Sequence, residues 1–108
     1  MTGPCHNALM FMLHGRLAAK PGRRDELLAI LTDESDAERL PGCRLYVVAV
    51  DDEDLDGVWA TEIWESQEAH DASLQLDSVR ERIGRAMPLV EVSGIRQQRL
   101  DALSGIPD

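Results

Sequence analysis

Four residues of this chain have the types and spacing to do chemistry together: Tyr46, Glu62, Trp64 and His70. A carboxylate can take a proton from a bound hydroxyl group, and an imidazole exchanges protons near neutral pH. An indole offers a broad flat surface and one N–H donor, which suits stacking on an aromatic ligand, and a phenol can donate a hydrogen bond to a ligand oxygen. In "WATEIWESQEAHDASL", residues 59 to 74, Glu62 and Trp64 stand two positions apart, and His70 follows six residues later. By residue type, His70 and Glu62 are the candidate catalytic residues and Trp64 and Tyr46 the candidate substrate-binding residues. Each also has a plainer reading. Glu62 could be half of a structural ion pair with an arginine or His70, and His70 a solvent-facing helical residue. Trp64 and Tyr46 could simply fill the core.

These residues need elements to hold them. "MFMLHGRL", 10 to 17, reads as a strand closed by the turn signal Lys20-Pro21-Gly22. From Arg23 to about Leu40, apolar Leu27, Leu28, Leu31 and Leu40 recur at helical spacing, and Pro41-Gly42 stops that helix. "CRLYVVAV", 43 to 50, is valine-rich and reads as a strand carrying Tyr46. After the acidic loop 51 to 57, "VWATEIW" alternates, placing Val58, Ala60, Glu62 and Trp64 on one face and Trp59, Thr61 and Ile63 on the other. Ser66 is positioned to cap a helix bearing His70, Asp77 to cap a second segment running to Pro88, and 89 to 100 forms the last strand.

The order β-α-β-β-α-β defines an α+β fold, the ferredoxin-like plait, with a four-stranded antiparallel sheet and its helices on one face. The expected domain runs from 10 to 100, between a flexible N-terminus at 1 to 9 and a C-terminal tail at 101 to 108. Both "MFML" and "LYVVAV" are apolar at odd and even positions, so the helix-free face needs a cover. A homodimer packed sheet to sheet supplies one.

Composition excludes several functions. Eleven Lys and Arg against twenty Asp and Glu give a net charge of −9, which repels polyanions, so neither nucleic acid nor an anionic membrane is an expected partner. The run Asp51, Asp52, Glu53, Asp54, Asp56 lacks the glycine and terminal glutamate of a calcium loop and reads as a solvated hairpin tip; no metal site is expected. Cys5 and Cys43 make no disulfide framework, and "ALMFML" is too short for a membrane span and has no charged leader, so the expected compartment is the cytoplasm. Of the other histidines, His6 falls in the flexible N-terminus, and His14, alternating with Met10 and Met12, has an expected structural, hydrogen-bonded role.

"RLAAKPGRRDELLAIL", "LPGCRLYVVAV" and "EIWESQEAHDASL", in this order and spacing, resemble the antibiotic biosynthesis monooxygenase (ABM) domain family of the dimeric α/β-barrel superfamily. The resemblance runs from about Met10 to Leu100. It implies a homodimer whose two sheets form a barrel, with a pocket in each protomer between sheet and helices. It further implies a cofactor-independent monooxygenase that oxidises a small hydroxylated aromatic or quinol with molecular oxygen: a pocket group removes a phenolic proton, and the electron-rich ring then reacts with oxygen. Two departures keep other readings open. Ser73 stands where many members carry histidine, and Ala60 where quinone-oxidising relatives carry asparagine. These motivate a non-catalytic small-ligand-binding dimer of the same fold, and the superfamily also includes isomerases and decarboxylases. Gly15, where heme-degrading relatives need asparagine, and the lack of histidine between 77 and 87 argue against heme.

Overall fold

The computed structural model describes residues 9–33 and 40–107. Four strands, β1 (Met10–Ala19), β2 (Cys43–Val50), β3 (Gly57–Trp64) and β4 (Val90–Ala102), form one antiparallel sheet in the order β2-β3-β1-β4. Helices α1 (Arg24–Leu31), α2 (Gln67–Ser73) and α3 (Asp77–Ala86) complete the ferredoxin-like α+β plait, with a single 3-10 turn at Met87–Leu89 leading into β4.

Period-2 alternation sorts every strand into two faces. Leu17 and Ala19 of β1, Val58 of β3 and Val48 of β2 pack with Leu27, Leu28 and Leu31 of α1 and Ala86 at the end of α3. Leu27 and Val58 have no accessible surface, and burying side chains of this size contributes about 1.5–3 kcal/mol each. The alternation expected for β3 holds, and its Val58–Trp64 face is the one beneath the helices.

The opposite face carries Met12, His14, Trp59, Thr61, Val47 and Leu100, with Val47 44% and Leu100 40% exposed. His14 has the hydrogen-bond partner expected of it: its Nδ1 lies 3.0 Å from Thr61 Oγ1, and its ring stacks on Trp59 at 5.3 Å.

Three local features differ from the sequence expectation. Helix α1 stops at Leu31 rather than near Leu40. Thr32 caps it, its hydroxyl donating back to Leu28 O (2.7 Å), and the acidic residues that follow would oppose the negative end of a continuing helix dipole. The rest of the expected helix, at 34–39, lies outside the described residues, as do His6 and Cys5. Asp77 is the first residue of α3, not its cap; that position belongs to Leu76. Ser66 does cap α2, its Oγ accepting from Ala69 N at 3.0 Å. Strand β4 continues to Ala102, paired with Met10, and beyond it Pro107 O accepts a hydrogen bond from Arg44. The pairing of β4 with β1 shifts between Arg16 and Ala18, where β4 bulges. Gly94 sits in that bulge because a Cβ there would come within 2.7 Å of Ala18 Cβ, and the bulge delivers Ile95 to the core.

The acidic loop is built rather than merely solvated. Asp51 Oδ1 accepts from the N–H groups of Glu53 (2.9 Å) and Asp54 (3.1 Å), and Asp51 Oδ2 accepts from the Trp59 indole at 3.0 Å. Arg24 donates to the carbonyls of Asp51, Asp54 and Gly57, and Arg16 pairs with the Asp54 carboxylate. Converging carbonyls are thus satisfied by a guanidinium, and the described residues include no cluster of His, Cys, Asp or Glu placed to hold a metal ion. Among them, too, no helix is long and apolar enough to cross a membrane.

Candidate active site

Two rows of cross-strand neighbours define the centre of the helix-covered face. One row runs Tyr46–Glu62–Leu13 across β2, β3 and β1; the next runs Val48–Ala60–Gly15–Gln97 across all four strands. The second row places the two smallest side chains, Ala60 and Gly15, opposite each other in mid-sheet. Large residues surround them: Leu13 and Leu17 along β1, Leu31 from α1 and Ile95 from the β4 bulge. A cavity of about 110 Å3 remains over this floor. Its polar lining is Glu62, Tyr46 and Gln97, together with Arg16 and Arg96, whose guanidinium groups are engaged by the Asp54 carboxylate and by the carbonyls of Ser93 and Ile95.

Glu62 is half-buried at one side of this hollow, and its partner is neither an arginine nor His70. Trp64 Nε1 donates to Glu62 Oε1 at 2.9 Å. That bond fixes one carboxylate oxygen, and no hydrogen bond from the described residues reaches the other. Trp64 itself is 1% exposed and stands outside the residues lining the cavity, so the indole acts on the hollow through the carboxylate it holds.

His70 supports the far side of the indole. Its ring meets Trp64 edge-on, with centroids 5.5 Å apart at 80°, and leans on Phe11 at 5.4 Å. Its Nδ1 lies 3.0 Å from Asp71 Oδ1. The structure therefore brings Glu62, Trp64 and His70 together as a stack leading away from the cavity, with only Glu62 facing it. Ser73 is 5% exposed and turns its hydroxyl onto His70 O at 2.5 Å, tying off the helix backbone.

Tyr46 joins from β2 beside Glu62. Although 43% of its surface is accessible, its hydroxyl end is crowded, and burial first, then the neighbouring Glu62 carboxylate, raises the phenol above its ordinary value of 10.0. Arg82 of α3, which donates to Asp33 O at 3.0 Å, opposes that shift in part. Tyr46 stays a neutral hydrogen-bond donor over the whole neutral range.

The arrangement supplies a small apolar chamber, one oriented carboxylate, one neutral phenol and one amide. Such a set can bind a flat ring carrying a hydroxyl group and receive that hydroxyl's proton. Leu13, Ile95 and Gln97 were not singled out from the sequence, and Gly15 entered only as a departure from heme-degrading relatives. A glycine inside an apolar strand was the one available signal, and its meaning depends on which residue lies across from it.

Residues 10–84 match the antibiotic biosynthesis monooxygenase family. The chain belongs to that family. Among solved structures, a candidate antibiotic biosynthesis monooxygenase from Chloroflexus aurantiacus J-10-fl is 40% identical, covering 89% of this chain and 95% of that one, with a TM-score of 0.80. A second candidate member, from Deinococcus radiodurans, is 26% identical over 92% of this chain and 98% of that one, with a TM-score of 0.73. A third, from Caulobacter crescentus CB15, is 18% identical over 91% and 93% with a TM-score of 0.76, a likeness of fold. No match was found among curated proteins. For an ABM domain the matched span covers β1 through nearly all of α3, so every element that walls the hollow except β4 lies inside it.

Proposed function

We propose that this ABM-family protein is a cofactor-independent monooxygenase that oxidises a small hydroxylated aromatic or quinol with molecular oxygen. The observation that carries this reading is the Glu62 carboxylate, held by the Trp64 N–H at the side of an apolar hollow. Glu62 takes a phenolic proton, Tyr46 or Gln97 donates to a ring oxygen, and the apolar floor and walls hold the electron-rich ring. For a quinol the reaction balances as quinol plus O2 giving hydroxyquinone plus water. A ring carbon bonds to oxygen, the O–O bond breaks, and the second oxygen leaves as water. His70 serves by bracing Trp64.

The working unit in this reading is a cytoplasmic homodimer joined through the helix-free sheet face, where Val47 and Leu100 stand exposed. Introducing a charge there, as in Val47→Lys, converts it to monomers in sedimentation.

Oxygen uptake and hydroxyquinone formation with simple quinols, above the non-enzymatic rate, test the activity. Glu62→Gln lowers kcat by about 100-fold or more, the usual contribution of a positioned base. A folded protein inert toward a broad quinol panel, or an unaffected Glu62→Gln variant, refutes it. The tying of Ser73 to its own helix backbone favours the second reading, a ligand-binding dimer without turnover. Ligand binding with no oxygen uptake would select it.

A further inference from the structure

We infer that Ala60, opposite Gly15, sets the size of the ligand, and that the hollow takes a single-ring phenol or hydroquinone and turns away fused polycyclic ones. This deepens the proposed function and rests on its choice of site. Ala60 and Gly15 are direct cross-strand partners, and both line the cavity. Every other side chain around that point is larger, so the hollow exists because this pair is small. Its volume of about 110 Å3 compares with the cavity of about 150 Å3 that holds one benzene ring in an engineered protein core. One six-membered ring is the size that space can take, and a fused second or third ring exceeds it.

The floor can be changed from only one side. A Cβ on Gly15 would lie 2.6 Å from Arg96 O and 3.1 Å from Gln97 Cα, both backbone atoms, so β1 and β4 would have to part. Ala60 is free of that constraint and is the position at which ligand size can be tuned. Polarity agrees with a one-ring ligand. Glu62 and Tyr46 are neighbours in one row and Gln97 lies across Gly15 in the next, so acceptor and donors border the ring on different sides.

The test is a ligand ladder of hydroquinone, 1,4-dihydroxynaphthalene and anthrahydroquinone, read by oxygen uptake and by calorimetric binding of phenol, 1-naphthol and 1-anthrol. With the wild-type protein, one-ring compounds should bind and turn over at least 10-fold better in kcat/KM than three-ring ones. Ala60→Leu should reduce one-ring binding and turnover at least 10-fold, and Ala60→Gly should narrow the gap between one and two rings. Wild-type discrimination and Ala60→Gly decide the matter should Ala60→Leu not fold. Equal use of three-ring quinols, or one-ring binding indifferent to both Ala60 variants, overturns the size inference while leaving the proposed oxidation standing. Size-selective binding without oxygen uptake upholds it and overturns the oxidation. Neither binding nor turnover of one-ring compounds overturns both.

Discussion

Replacing Trp64 by Phe tests the Trp64–Glu62 hydrogen bond, on which the site's geometry depends. The indole is 1% exposed, and its N–H donates to the half-buried Glu62 carboxylate at 2.9 Å. A hydrogen bond to a charged partner contributes about 1.5–3 kcal/mol, and an abandoned carboxylate adds to its loss. Phenylalanine keeps most of the ring contact with His70 but leaves a gap worth about 1 kcal/mol. The combined loss is about 2.5–4 kcal/mol. For a domain of this size each kcal/mol lowers the melting temperature by about 4–8 °C, which gives a drop of roughly 10–30 °C. Glu62→Met removes the acceptor while keeping the length of the side chain. In a double-mutant cycle by urea denaturation at fixed protein concentration, the two substitutions should couple by about 1–2 kcal/mol. Coupling below about 0.5 kcal/mol would mean that the carboxylate is positioned by something other than the indole, and the site's geometry as described would be wrong.

Two further outcomes follow from the electrostatics. Tyr46 is the only tyrosine in the chain, so tyrosinate absorbance reports it alone; it should titrate above its ordinary value of 10.0, and Glu62→Gln should bring the midpoint down. Because the folded value is the higher one, the associated stability is complete below about pH 10 and fades as pH rises through the folded midpoint. Asp51 has the opposite sign: the Trp59 N–H first, then the Glu53 N–H, hold its carboxyl below 3.8, so its contribution is full above that value and is lost as pH falls through the lower folded one. Asp51→Asn should flatten the acid limb of a denaturation profile below pH 4, and an unchanged limb would refute the assignment.

The sequence by itself determined the element order, the two faces of β3 and the β2 segment that carries Tyr46, because periodicity and turn residues are local properties of the chain. It also determined that Glu62 and Trp64 share a face, since they are two residues apart on a strand. The length of α1 was not legible in the leucine spacing, because the Thr32 cap ended it before the apolar pattern did. Only the tertiary structure decided Glu62's partner. The alternatives from the sequence were an arginine or His70, yet the indole N–H on its own strand was nearer, and His70 packed against Trp64 instead. Only the tertiary structure decided where the hollow lies, too. A glycine at 15 and an alanine at 60 do not singly announce a cavity; antiparallel register sets them face to face, and the space they leave is a property of that pairing and of the larger side chains around it.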